Sequence, residues 1–140
     1  MSQRDVAFQP GTLIVTKGST VRFPNEDRVR HSVYSFSKAA KFQIKLYGRD
    51  QTKTKNFPVA GSVALGCNIH DQMKGYIVVV DTPFAAKTDH NGLLSIRNLP
   101  FGAATMKVWH PANRVRGGES ASTISLGSGA NRQNVKLSLR

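Results

Sequence analysis

Short alternations of apolar and polar residues recur along the whole chain. "TLIVT" (12–16) and "STVRFP" (19–24) are β-branched or alternating runs, with Lys17 and Gly18 turning between them. "HSVYSF" (31–36) alternates in the same way, with Val33 able to pack inward. "GSVAL" (61–65) and "GYIVVV" (75–80) follow, and the second reads as a strand buried on both sides because its apolar run is continuous. Between 31–36 and 61–65, the stretch 37–56 is polar and irregular, with a short helix expected near "AAKFQIKLY". "DTPF" (81–84) interrupts the rhythm with a proline, which places a domain boundary there. Beyond it, "TDHNG" (88–92) ends in Asn-Gly, a strong hairpin-turn signal, because both residues tolerate positive φ. "LLSIRNL" (93–99), "AATMKVWH" (103–110), "ASTISL" (121–126) and "NVKLSL" (134–139) then read as strands separated by Gly-, Pro- and Asn-containing turns. The pattern predicts an all-β chain in two parts, residues 1–81 and 82–140, the second a small antiparallel β-sandwich.

Composition narrows this picture only slightly. With 140 residues, 39% of them apolar, the chain can bury a core of modest size. No apolar run is long enough to insert into a membrane as a helix. The start, "MSQRDVAF", carries no apolar signal region. That leaves either a cytoplasmic protein or a mature form whose export signal has been removed. One cysteine cannot form an internal disulfide, so the redox compartment is left open. The net charge of +12 is spread evenly, +6 on residues 1–81 and +6 on 82–140, with no basic tail. Its densest stretch runs from Lys38 to Lys55 and includes Lys41, Lys45, Arg49 and Lys53, against Asp50 alone. A solvated face explains that run, and so does a surface for an acidic partner. The single Arg-Gly-Gly fragment at 116–118 is too little to predict nucleic-acid binding.

The chemistry concentrates in "GCNIHDQM" (66–73), which links the strands 61–65 and 75–80. Cys67, His70 and Met73 recur every third residue on one short connection. A thiolate, an imidazole and a thioether form a soft donor set that suits copper rather than magnesium or calcium. The trigonal arrangement of two histidines and one cysteine with a long axial methionine lacks one histidine here. His31, His90 and His110 are the candidates. His90 lies in the presumed turn and His110 at a strand end, where polar residues are common for structural reasons. His31, opening a strand of the first part, is the better choice.

These residues, taken together, resemble the cupredoxins, the type 1 blue copper proteins. "NEDRVRH" followed by "CNIHDQM" and "KGYIVVV" is similar to amicyanin in its Cys-x-x-His-x-x-Met spacing and in the step from Asn25 to His31. The chain as a whole resembles the bacterial methylamine-utilisation proteins. In these, a Greek-key cupredoxin β-sandwich precedes a small transthyretin- or carboxypeptidase-regulatory-like β-sandwich. "AKTDHNGLLSIRNLPFGAATMKVWHP" carries the second match. The resemblance implies one copper ion per chain, cycling between Cu(I) and Cu(II). His31, Cys67 and His70 would be equatorial ligands and Met73 the axial one. It also implies that Asn25 ties the two ligand-bearing loops together by hydrogen bonding. One departure is Asp71, where amicyanin has a proline; a carboxylate there would stand beside the His70 imidazole.

The implied activity is single-electron transfer between redox partners in the bacterial periplasm, not catalysis, since four ligands leave no open position for a substrate. The implied partner is a redox protein such as a c-type cytochrome with an acidic surface. His70 would be the ligand nearest the surface, with Ile69 in an apolar contact patch. No nucleic acid and no membrane insertion is expected. The alternative from the same residues is a periplasmic copper carrier, buffer or sensor.

Overall fold

The computed structural model describes residues 1–140, and they divide into two compact units, Met1–Leu93 and Leu94–Arg140. The chain is all-β, with one turn of 3₁₀ helix at Arg116–Gly118. Nine strands form the first unit: β1 (Ser2–Arg4), β2 (Ala7–Gln9), β3 (Thr12–Thr16), β4 (Ser19–Pro24), β5 (His31–Ser37), β6 (Ala40–Tyr47), β7 (Thr52–Phe57), β8 (Gly61–Cys67) and β9 (His70–Val80). Five of them make one sheet in the order β3-β9-β8-β5-β6, while β4 pairs with β7 and β1 with β2. All of these pairings are antiparallel except β3 with β9, which is parallel.

Alternation in the strands decides which side chains reach the core. On β5 the inward set is His31, Val33 and Ser35, and on β8 it is Val63, Leu65 and Cys67. Facing them are Val21 and Phe23 of β4 and Phe57 of β7, so the two sheets enclose one apolar layer. Phe42 of β6 meets Phe57 edge-on, with ring centroids 6.0 Å apart.

Two expectations for the first unit are corrected. The stretch around 39–47 is a strand, not a helix. In β6, Phe42 and Ile44 face the core layer while Lys41, Gln43 and Lys45 are exposed, which is the period of a half-buried strand. The apolar run 75–80 is buried on one face only: Ile77 and Val79 are covered, while Tyr76, Val78 and Val80 are partly open.

Strand β9 ends at Val80, and the unit itself continues to Leu93. Lys87 in that continuation donates to the carbonyl of Thr12 at 3.1 Å. The turn expected in "TDHNG" is present: the Asp89 carboxylate accepts from the N–H groups of Asn91 and Leu93, and Gly92 takes φ 76°.

The second unit holds one antiparallel pair, β10 (Gly102–Trp109) with β11 (Glu119–Leu126). The alternating stretches 93–99 and 134–139 form no strands; only Leu139 makes an isolated bridge, to Asn113.

Candidate metal centre

Strand register brings the two halves of the site together. Cys67 and His70 are direct cross-strand partners at the tip of the β8–β9 hairpin, separated by Asn68 and Ile69 alone. Cross-strand partners project to the same face, so the sulfur and the imidazole start side by side. The register then slips, with Gly66 paired to Lys74, so that 71–73 bulge out of β9. Met73, at the end of that bulge, is buried and lines the same cleft as Cys67. His31 comes from the neighbouring strand β5, which pairs with β8 through Tyr34 and Gly66.

The result is a compact donor cluster. One ligand atom each from His31, Cys67 and His70 lies within 4.8 Å of the others. Cys67 Sγ stands 3.9 Å from His31 Nδ1 and 3.7 Å from His70 Nδ1. Donors about 2.3 Å (sulfur) and 2.0 Å (nitrogen) from a shared ion at trigonal angles would be about 3.7 Å apart. The two sulfur–nitrogen spacings therefore fit one shared d-block ion, and the thiolate with two imidazoles selects a soft or borderline one such as copper. The imidazole rings are 5.0 Å apart and tilted by 59°. Burial grades the three: His31 and Cys67 are enclosed, whereas His70 is partly exposed beside the exposed Ile69.

His31 is fixed from behind. Its Nε2 meets Asp27 Oδ2 at 2.7 Å, and the ring is fully buried. The Asp27 carboxylate also accepts from the backbone N–H groups of Asp5 (2.7 Å) and Val6 (3.0 Å). Desolvation pushes the Asp27 pKa upward, but the bonds from Val6, His31 and Asp5 outweigh it and leave the pKa below the usual carboxylate value.

Asn25 is buried and fully used, but it does not bridge the two ligand segments. Its amide donates to the carbonyls of Val29 and Tyr47, and its oxygen accepts from the Asp27 N–H. The bridge is made by Ser32. Its hydroxyl accepts from the Asn68 N–H at 2.9 Å and donates to Cys67 Sγ at 3.8 Å. The carboxylate that contacts one of the three clustered side chains is likewise Asp27, on His31, while Asp71 is exposed. Ser32 and Asp27 were missed from sequence. Their only signals were position, one residue after and four residues before the histidine. His90 lies in its turn as expected, and His110 Nδ1 accepts from the Ala112 N–H.

No protein-family profile matches the chain, and no curated protein does. Solved structures do. One is the reduced Cu(I) form, at pH 4, of an amicyanin mutant, with TM-score 0.53 and 23% identity, covering 56% of this chain and 78% of that one. Another is the oxidized form of a different amicyanin mutant, with TM-score 0.53 and 22% identity over the same shares. At such identity the likeness is one of fold, the cupredoxin β-sandwich, and the donor cluster above is this chain's own.

Proposed function

We propose that this protein is a type 1 copper protein that carries single electrons between redox partners in the bacterial periplasm. The observation that carries the reading is the convergence of two imidazole Nδ1 atoms on one buried thiol sulfur at 3.7 and 3.9 Å. His31, Cys67 and His70 would hold the ion equatorially and Met73 axially. Copper so held supplies a one-electron couple whose thiolate and weak axial sulfur set its potential. The surrounding residues contribute rigidity. His31 is held by Asp27, Cys67 by the Ser32 hydroxyl, and both lie in a layer that excludes water. A site that changes little between oxidation states suits rapid transfer. Its four donors leave no position for a substrate, which favours a carrier over an enzyme.

Partner choice follows from exposure and charge. His70 and Ile69 form the opening of the site. Lys38, Lys41, Lys45 and Lys53 are exposed on or beside β6 and β7 and favour an acidic partner such as a c-type cytochrome. On the same reading, residues 1–81 are the copper-binding domain and 82–140 a carboxypeptidase-regulatory-like module.

Copper(II) titration of the purified protein, followed by visible and EPR spectroscopy, tests the proposal. One equivalent should produce an intense thiolate-to-copper band with small hyperfine splitting, and voltammetry should show a reversible one-electron wave. Stoichiometric binding without reversible cycling, with copper passed on to an acceptor, would favour a copper carrier instead. Absence of stoichiometric binding would sink both.

A further inference from the structure

The five-stranded sheet has two edges, and they are built differently. At one edge, β6 shows Lys41 and Lys45 to solvent, and its ladder with β5 slips between His31 and Val33. Exposed lysines and a broken register both oppose the addition of a further strand. At the other edge, β3 reads Thr-Leu-Ile-Val-Thr, with no charge, no proline and an unbroken register against β9. Its ladder has a definite phase. Tyr76 N–H donates to the Gly11 carbonyl at 2.9 Å, and Lys17 N–H to the Val80 carbonyl at 2.7 Å. In a parallel ladder alternate residues turn both backbone groups to the partner strand. Leu13 and Val15 therefore bond to β9, while Thr12, Ile14 and Thr16 direct their N–H and C=O groups outward.

Those outward groups border a groove. Its other wall is the segment 82–87, which belongs to no strand and makes no backbone bond to β3. Pro10, Pro83, Ala85 and Ala86 make the lining largely apolar, and Lys87 is the one charged residue in it. Lys87 Nζ donates to the Thr12 carbonyl at 3.1 Å, and an ammonium has two further N–H groups to give.

We propose that this groove is a docking site for an extended peptide segment of a partner protein, which adds to β3 as a further strand and sets a carboxylate side chain against Lys87. Main-chain bonds to Thr12, Ile14 and Thr16 supply the affinity, and the apolar lining selects alternate apolar side chains. A second copy of the chain fits less well, because each copy carries a net charge of +12. β3 lies along residues 76–80 of β9, remote from the hairpin tip that carries Ile69 and His70. A docked segment thus holds its protein without covering the opening of the donor cluster, and docking needs no bound metal.

Amide hydrogen exchange of the full 15N-labelled chain tests the proposal, with a synthetic peptide of alternating valine and threonine and a glutamate at each end as the probe. At about 1 mM peptide, the Ile14 and Thr16 amides should exchange on the order of tenfold more slowly. Leu13 and Val15, already bonded to β9, should change little. No slowing, or slowing confined to other residues, overturns the proposal. The same peptide N-methylated at every amide keeps its side chains but lacks donors, and it should protect nothing; equal protection overturns strand addition. Lys87→Gln should weaken peptide binding about threefold, and an unchanged affinity overturns the assigned carboxylate. Protection of Ile14 that appears without peptide and grows with protein concentration overturns the choice of occupant in favour of a second copy.

Discussion

The two sides of the donor cluster are held by different physics. His31 sits within a mesh of directed polar bonds: Asp27 on its Nε2, two backbone N–H groups on Asp27, and Asn25 beneath. Cys67 and His70 owe their places to the hairpin register and to packing, with one hydroxyl, Ser32, joining the two sides. A mesh of bonds fixes orientation, whereas a register fixes only proximity. The first side is accordingly buried and the second partly open, so rigidity and access are assigned to different histidines.

Four changes would break or sharpen that contrast. The largest effect is expected from Cys67→Ser, which removes the anionic sulfur that both imidazoles face; copper binding and the associated visible band should vanish while the fold persists. Next is Gly66→Ala. A Cβ at Gly66 would lie 2.6 Å from the Tyr34 ring, so that ring must move off the strand next to Cys67. Overpacking of this kind costs about 1–3 kcal/mol, readable as a lower denaturant midpoint. Ser32→Ala should cost less, about 1 kcal/mol, by leaving the Asn68 N–H without its partner and the sulfur without a donor. It should also alter the visible band, since it removes the hydroxyl that joins Cys67 and Asn68 to the strand of His31; a spectrum identical to wild type would show that this hydroxyl does not tune the sulfur.

The smallest effect at neutral pH concerns Tyr47, opposite His31 on β6. Burial pushes its pKa up to about 12; the bond from Gln3 opposes this and the nearby Cys67 adds to it. The neutral phenol is thus favoured by folding. Its contribution is complete below pH about 10, the ordinary tyrosine value, and is lost as pH rises toward 12. Alkaline unfolding should steepen in that window in wild type and less so in Tyr47→Phe, as followed by circular dichroism.

Much of this molecule is legible in its residues, for identifiable reasons. Cys67 and His70 are three apart across a two-residue turn, so local geometry alone makes them neighbours. The strands 12–16, 19–24, 31–36 and 61–65 carry enough β-branched and aromatic residues to declare themselves. Strand β6 does not, because its outward lysines dilute Phe42 and Ile44 into what reads as a polar stretch. In the second unit the error is reversed. The alternation at 93–99 and 134–139 reports which face a strand would bury, but not whether a partner strand exists to pair with it. The choice of His31 depended on a tertiary pairing of β5 with β8 that spacing cannot supply. Asp27 and Ser32 were missed for the same reason, since a carboxylate four residues before a histidine means nothing until the chain curls it behind the ring.

The enclosure of Cys67, only 2% exposed, has a practical corollary. The chain carries no other thiol, so a thiol-selective reagent in solution has a single target. It can reach that target only when the hairpin tip swings away from β5. Labelling speed therefore counts how often the cluster comes apart, and the same clock, run with and without bound metal, times how firmly the ion keeps it shut.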